Sequence, residues 1–263
     1  MIVFGAIIPH SPLLIPSIGK DHRKKLNKTL KACEQLEEAL YLAKPDTICM
    51  IAPHGVHYPD AFSINMVAKY TGSLKSFGDH ATTVQAKSDY LLIDHIQCKL
   101  RTERVPFTLT SNEELAYGFT VPLLLLTKNL EHWKLIPVSP SDHNGPAHFE
   151  FGRHLKRVLH SDMRRVAVIA SADLSHSLSN EAPAGDKPEG HAFDESIQIA
   201  ISEGNVESIV KMAPELINDA SQCGYRPIVT LLGAMDGMNT KTTILSYEAP
   251  FGVGYLTTKF DLK

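Results

Sequence analysis

Two apolar runs in this chain end on the same dipeptide. MIVFGAIIPH (residues 1–10) and TICMIAPH (residues 47–54) each proceed without polar alternation and stop at Pro-His. An unbroken apolar run bounded by turn residues is the pattern of a strand buried on both faces, and such strands occur in parallel sheets covered by helices. Proline fixes φ and cannot donate to a ladder, so Pro9 and Pro53 end the pairing. His10 and His54 then stand at the carboxyl ends of their strands. A third run, RVAVIAS (165–171), leads into ADLSHSL, placing Asp173 and His176 after another buried strand.

Further strands are expected at SINMVA, KLIPVS, TTILSY and GVGYLTT. Helical patterns lie between them. The clearest spans about residues 20–43, with Leu26, Leu30, Cys33, Leu36 and Leu40 on one face, and Pro45 ends it. Others are expected at SDYLLIDHIQCKL, TVPLLLLTKNL, HFEFGRHLKRVLH, GHAFDESIQIAISEG, VESIVKMAPELINDA and PIVTLLGAM. Strands alternating with helices predict an α/β fold, a single domain over residues 1–263, with a central mostly parallel or mixed sheet and helices on both faces. The stretch LSNEAPAGDKPEG (178–190) reads as a long loop of the kind that forms lids or binding loops.

In open α/β sheets ligands bind outside the carboxyl ends of strands, so His10, His54 and His176 can share one crevice. Neutral imidazole is a common ligand for divalent metals, and two histidines with one anionic ligand leave positions open for substrate. Two residues are candidates for the anionic ligand. Cys223, in DASQCGYRPIVTLLGAM, offers a thiolate or is a small buried hydrophobe; Glu248, in SYEAPFGVGYL, offers a carboxylate or caps a neighbouring loop. Spacing leaves that choice open. Asp173 reads first as a cap at its strand end. His57 fits a role beside the site or in solvent, His143 is a weaker pocket candidate, and His191 faces the site or water. His22, His80, His95, His132, His148, His154 and His160 read as surface residues.

The remaining composition excludes other classes of function. With a net charge of −3 and basic clusters limited to HRKKLNK (22–28) and RTER (101–104), the chain has no nucleic-acid footprint. Cys33, Cys49, Cys98 and Cys223 form no CxxC pair, so neither a disulfide framework nor a zinc ribbon is expected. The apolar start lacks a basic flank and a cleavage site, and no apolar run reaches the roughly 18 residues of a membrane span. The expectation is a soluble cytoplasmic protein with neither nucleic acid nor membrane as a partner.

The segments IPHSPLL, IAPHGVHY, YGFTVPLLLL, SADLSHSL with PEGHAFDESI, CGYRPIVTLLGAM and EAPFGVGYL together resemble the class III extradiol dioxygenase superfamily, whose type member is the catalytic subunit of protocatechuate 4,5-dioxygenase. The resemblance covers almost the whole chain, and the wording is most similar to the Memo-like branch. It implies an oxidoreductase in which His10 and His54 bind Fe(II) and His176, the histidine of the LSH motif, handles protons at a small aromatic substrate. At the position of the dioxygenase glutamate this chain reads QCGYRPI. Memo-like proteins carry a cysteine there, so the resemblance selects Cys223 over Glu248. A His/His/Cys set is softer than His/His/carboxylate and also suits copper or zinc. Ring-cleaving relatives usually show Asp-His-Gly before VPL, where this chain has Ala116-Tyr117-Gly118. Tyr117 is then either a pocket residue, donating a hydrogen bond without acting as an imidazole base, or a packed aromatic at a helix start. The resemblance implies two functional readings, a catechol-cleaving oxygenase and a Memo-like iron- or copper-binding redox or partner protein without ring cleavage. A radical-SAM-associated partner follows from the Memo-like branch, and a homo-oligomer is left open.

Overall fold

The computed structural model describes residues 1–262, and Lys263, the last residue of the expected domain, lies outside the described residues. Its strands are β1 (Ile2–Ile8), β2 (Thr47–Ile51), β3 (Phe62–Asn65), β4 (Lys69–Leu74), β5 (Asp79–Ser88), β6 (Phe107–Thr110), β7 (Glu114–Leu115), β8 (Lys134–Ser139), β9 (Val166–Ser171), β10 (Thr240–Glu248) and β11 (Tyr255–Leu262). Its helices are α1 (Pro16–Gly19), α2 (Asn27–Ala43), α3 (Tyr90–Thr102), α4 (Tyr117–Leu126), α5 (Gly145–Ser161), α6 (Pro188–Glu203), α7 (Val206–Val210), α8 (Pro214–Asp219) and α9 (Tyr225–Met235). The strands form one mixed sheet in the order β10-β11-β1-β9-β2-β8-β5-β4-β7, with β3 also paired to β8 and carrying β6.

At its centre, β1, β9, β2 and β8 run parallel, and β11 closes against β1 in the antiparallel sense. Successive side chains of these strands enter different cores, as a period of two requires. Cys49, Ile51, Val166, Val168 and Ala170 pack on one face with Leu92 and Ile96 of α3, Phe151 and Leu155 of α5, Phe193 of α6 and Ile228 of α9. Ile48, Met50, Ala167 and Ile169 pack on the other with Leu36 and Leu40 of α2 and Phe119 and Leu123 of α4. Both faces are therefore dry. The α/β architecture, with a mixed sheet covered on both sides, is the one the strand-helix alternation predicts.

Several elements differ from expectation for local reasons. Residues 20–26 are a 3₁₀ turn that precedes α2, and Lys44, at a left-handed φ of 43°, closes that helix before Pro45. The stretch 206–220, expected as one helix, is split into α7 and α8 because the residue before Pro214 is driven out of the helical region; Ala213 has ψ 131°. Strands β4 to β7 were not expected. They lie at a half-exposed sheet edge, so their sequences are polar and lack an unbroken apolar run. Among the described residues no helix is long and apolar enough to cross a membrane.

Candidate metal centre and adjoining cavity

Because β1, β2, β9 and β8 run parallel, the loops that leave them open on one edge of the sheet. His10 follows β1 by two residues, His54 follows β2 by three, and Asp173 follows β9 by two. Cys223 reaches the same edge from the turn that enters α9. One ligand atom from each of His10, His54 and Cys223 lies within 4.8 Å of the others. The Nε2 of His10 is 3.4 Å from the Cys223 sulfur. The His10 and His54 rings meet edge to face at 5.1 Å, and Tyr117 stacks on His54 at 4.6 Å.

His54 occupies the left-handed region, with φ 66°. That conformation costs about 1–2 kcal/mol for a residue with a Cβ. The chain before His54 packs closely on α4 at Gly118, where a Cβ would lie 2.6 Å from the Pro53 carbonyl oxygen.

Glu248 is elsewhere. Its carboxylate accepts the backbone N–H of Thr29 at 2.7 Å, in the first turn of α2, so it caps that helix. Asp173 accepts the backbone N–H of His10 at 2.9 Å, and its second oxygen lies 3.7 Å from His10 Nε2. Its cap role thus fastens His10.

His176 stands outside the three-residue cluster. Its Nδ1 donates to the Ser221 carbonyl at 2.6 Å, so in the neutral ring the lone pair lies on Nε2. Ser175 and Ser177 donate to the neighbouring Ala220 carbonyl, so the loops bearing His176 and Cys223 are laced together. A cavity of 420 Å³ lies alongside, lined by His176, Asp173, Tyr117, Phe77, Phe251 and Tyr255 among others. A second cavity, of 470 Å³, reaches His54 and Cys223 and carries Arg226 and Asp142.

A family model described as the catalytic LigB subunit of aromatic ring-opening dioxygenase matches residues 5–258. This chain belongs to the LigB family. Among curated relatives, Protein CA_C1420 of Clostridium acetobutylicum is 28% identical over 264 residues, covering 97% of this chain and 56% of that protein. A MEMO1 family protein of Methanococcus maripaludis, MmarC6_1286, is 23% identical over 124 residues, covering 47% of this chain and 40% of that protein. The chain thus spans a little over half the length of the first of these relatives. Among solved structures, the uncharacterized protein JW3007 from Escherichia coli K12 superposes with a TM-score of 0.67 at 17% identity, covering 98% of this chain and 99% of that one. That likeness describes the fold.

The electrostatics of this LigB-family site favour neutral imidazoles. Burial, followed by the neighbouring His176, lowers the pKa of His10 to about 3. Burial and then His10 lower that of His54 to about 4. Burial, reinforced by Asp173, pushes the Cys223 thiol well above its ordinary value. Burial also raises Asp173 to about 6, against the opposing hydrogen bond from His10. Tyr117 is raised to about 12, by burial first, so its hydroxyl keeps its proton at neutral pH.

The other histidines sort by packing. His57 pairs with Asp142 at 3.0 Å, a carboxylate also held by Arg226 at 2.7 Å. His143 packs its edge on Phe62, and His191 pairs with Asp186. His148 and His154, expected at the surface, are corrected: His148 is buried and packs edge-on against Phe62, and His154 is half-buried between Glu103 and Glu150. His148 falls on the buried face of α5 with Phe151, Leu155 and Leu159, a helical spacing that could have disclosed it.

Behind the His176 loop, the buried Asp194 of α6 accepts the Ser175 N–H at 2.8 Å and the Tyr247 hydroxyl at 2.7 Å. Burial raises its carboxyl from 3.8 to about 6. Folding therefore favours the protonated form, and this contribution to stability is full below about pH 3.8 and lost as pH rises through about 6. Asp194→Asn removes the charge while its Oδ1 still accepts from Ser175 and its Nδ2 donates to the Tyr247 oxygen, reversing that bond. It is expected to raise unfolding stability at neutral pH by about 1–2 kcal/mol and to leave it little changed near pH 4. Urea denaturation at the two pH values checks this, and equal effects at both would contradict it.

Proposed function

We propose that this chain is a non-haem metal-dependent oxygenase-like protein acting on a catechol-type substrate, with His10, His54 and Cys223 holding one ion, Fe(II) in the first place. The observation that carries the reading is the convergence of two neutral imidazoles and a thiol on one point beside an aromatic-walled cavity. The donor set fits a transition metal. The imidazoles need lose no proton to bind, and a half-buried thiol whose pKa is raised becomes a thiolate when a cation is there to offset its charge.

When bound, Fe(II) supplies the redox and Lewis-acid chemistry that couples dioxygen to an electron-rich ring. The protein's own residues do the rest. Phe77, Phe251 and Tyr255 hold the ring of the substrate and displace water from the cavity. His176, with Nδ1 committed to Ser221, takes the substrate's hydroxyl proton at Nε2. Tyr117 keeps its own proton and donates a hydrogen bond to the substrate.

A second reading has support from Tyr117 itself, which stands where ring-cleaving relatives carry a histidine. It is a Memo-like protein that binds iron or copper, or takes zinc, without ring cleavage, and the soft Cys223 sulfur suits such metals. Oxygen uptake by the iron-loaded protein with a panel of catechols separates the two. Weak turnover by the unaltered chain and a gain of about tenfold or more in Tyr117→His, which restores a second base, are expected of the oxygenase. Full iron loading with no cleavage by either form supports the second reading, and equal, robust cleavage by both removes Tyr117 from the account.

A further inference from the structure

We propose that Ser171 is a positioning residue that fixes the tautomer of His10, holding the ring proton on Nδ1 so that a bare Nε2 faces Cys223. The inference rests on the metal-binding reading only for its consequence; the hydrogen-bond logic is independent of it.

Pro122 leaves a gap in the hydrogen bonding of α4. The Gly118 carbonyl would ordinarily accept the N–H of residue 122, but that residue is Pro122 and has none. The Ser171 hydroxyl takes the vacant place, donating to the Gly118 oxygen at 2.5 Å. Ser171 is fully buried at the end of β9. A serine hydroxyl has one hydrogen, and a carbonyl oxygen can only accept, so that hydrogen is committed. His10 Nδ1 lies 3.0 Å from the same hydroxyl oxygen. With the hydrogen spent on Gly118, Oγ is an acceptor toward the ring, and Nδ1 carries the N–H.

The opposite edge of the ring explains why such a device is needed. His10 Nε2 faces the Cys223 sulfur at 3.4 Å and an Asp173 carboxylate oxygen at 3.7 Å. Both can accept a hydrogen bond. If Nδ1 lost its acceptor, the ring proton would move to Nε2, the nitrogen directed at the cluster, and a protonated nitrogen has no lone pair for a metal. Ser171 holds the proton on the far side of the ring. Such partners of metal-binding histidines commonly fix the tautomer through the other nitrogen.

The test compares the unaltered chain with Ser171→Ala and Ser171→Thr. Long-range ¹H–¹⁵N correlation spectra of metal-free, histidine-labelled protein at neutral pH read the tautomer, with His10→Gln identifying the signal. The expected result is a protonated Nδ1 in the unaltered chain, a protonated Nε2 in Ser171→Ala, and the original pattern in Ser171→Thr. Zinc titration of the same proteins should show affinity about 10- to 100-fold weaker in Ser171→Ala, with most of that loss recovered in Ser171→Thr. A protonated Nε2 in the unaltered chain, or the same tautomer in Ser171→Ala, would overturn the proposal. A reversal of tautomer in a protein that binds no zinc upholds the role of Ser171 and contradicts the metal-binding reading.

Discussion

Alanine in place of Cys223 should leave the chain folded and lower its affinity for iron(II) and zinc by at least about a hundredfold, more than the loss typical of an outer hydrogen-bonding partner. The sulfur lies 3.4 Å from His10 Nε2 in a turn that contributes no strand or helix residue to the sheet, so its removal subtracts a donor and little packing. The same substitution should change the pH dependence. Well above pH 6 both imidazoles are neutral and Asp173 is ionised, whereas the Cys223 thiol retains its proton. Metal uptake then releases one thiol proton, and affinity rises about tenfold per pH unit until the thiol itself ionises. Cys223→Ala should lose that slope. Calorimetric titration in two buffers of different ionisation enthalpy measures the proton directly, and an unchanged affinity and slope would remove Cys223 from the site.

His176→Ala is expected to do the reverse. It should bind iron(II) as the unaltered protein does and lose turnover by about 10²- to 10⁴-fold, the range that a positioned acid-base group supplies. The geometry separates the two functions: His176 donates Nδ1 to Ser221 and lines the aromatic cavity, while the cluster is made by His10, His54 and Cys223. Loss of the metal in this variant would make His176 a ligand, and full turnover would leave proton transfer to another group.

What could be read in the sequence was set by the range of the interactions that determine it. The parallel centre of the sheet was legible because β1, β2, β8 and β9 are buried on both faces and so read as unbroken apolar runs. The positions of His10 and His54 at strand ends were legible for the same reason, since a proline beside each marks where pairing stops. The edge strands β4 and β5 were not, because one wet side dilutes the apolar signal and Gly72 interrupts it. Cys223 had no local mark. It comes from a turn 213 residues beyond His10, and only the resemblance of its surrounding motif distinguished it from Glu248. Ser171 was hidden altogether, because its importance depends on a carbonyl that Pro122 leaves unpaired in a different element.

Whether His10, His54 and Cys223 hold a metal ion is read from the metal content of protein purified without oxygen or chelators, measured by mass spectrometry of the elements for the unaltered chain and for His54→Ala and Cys223→Ala. A single iron per chain is expected in the unaltered protein, and its loss from both variants. A folded, metal-free chain that takes up no iron on anaerobic addition, or variants that keep the same metal, would contradict it.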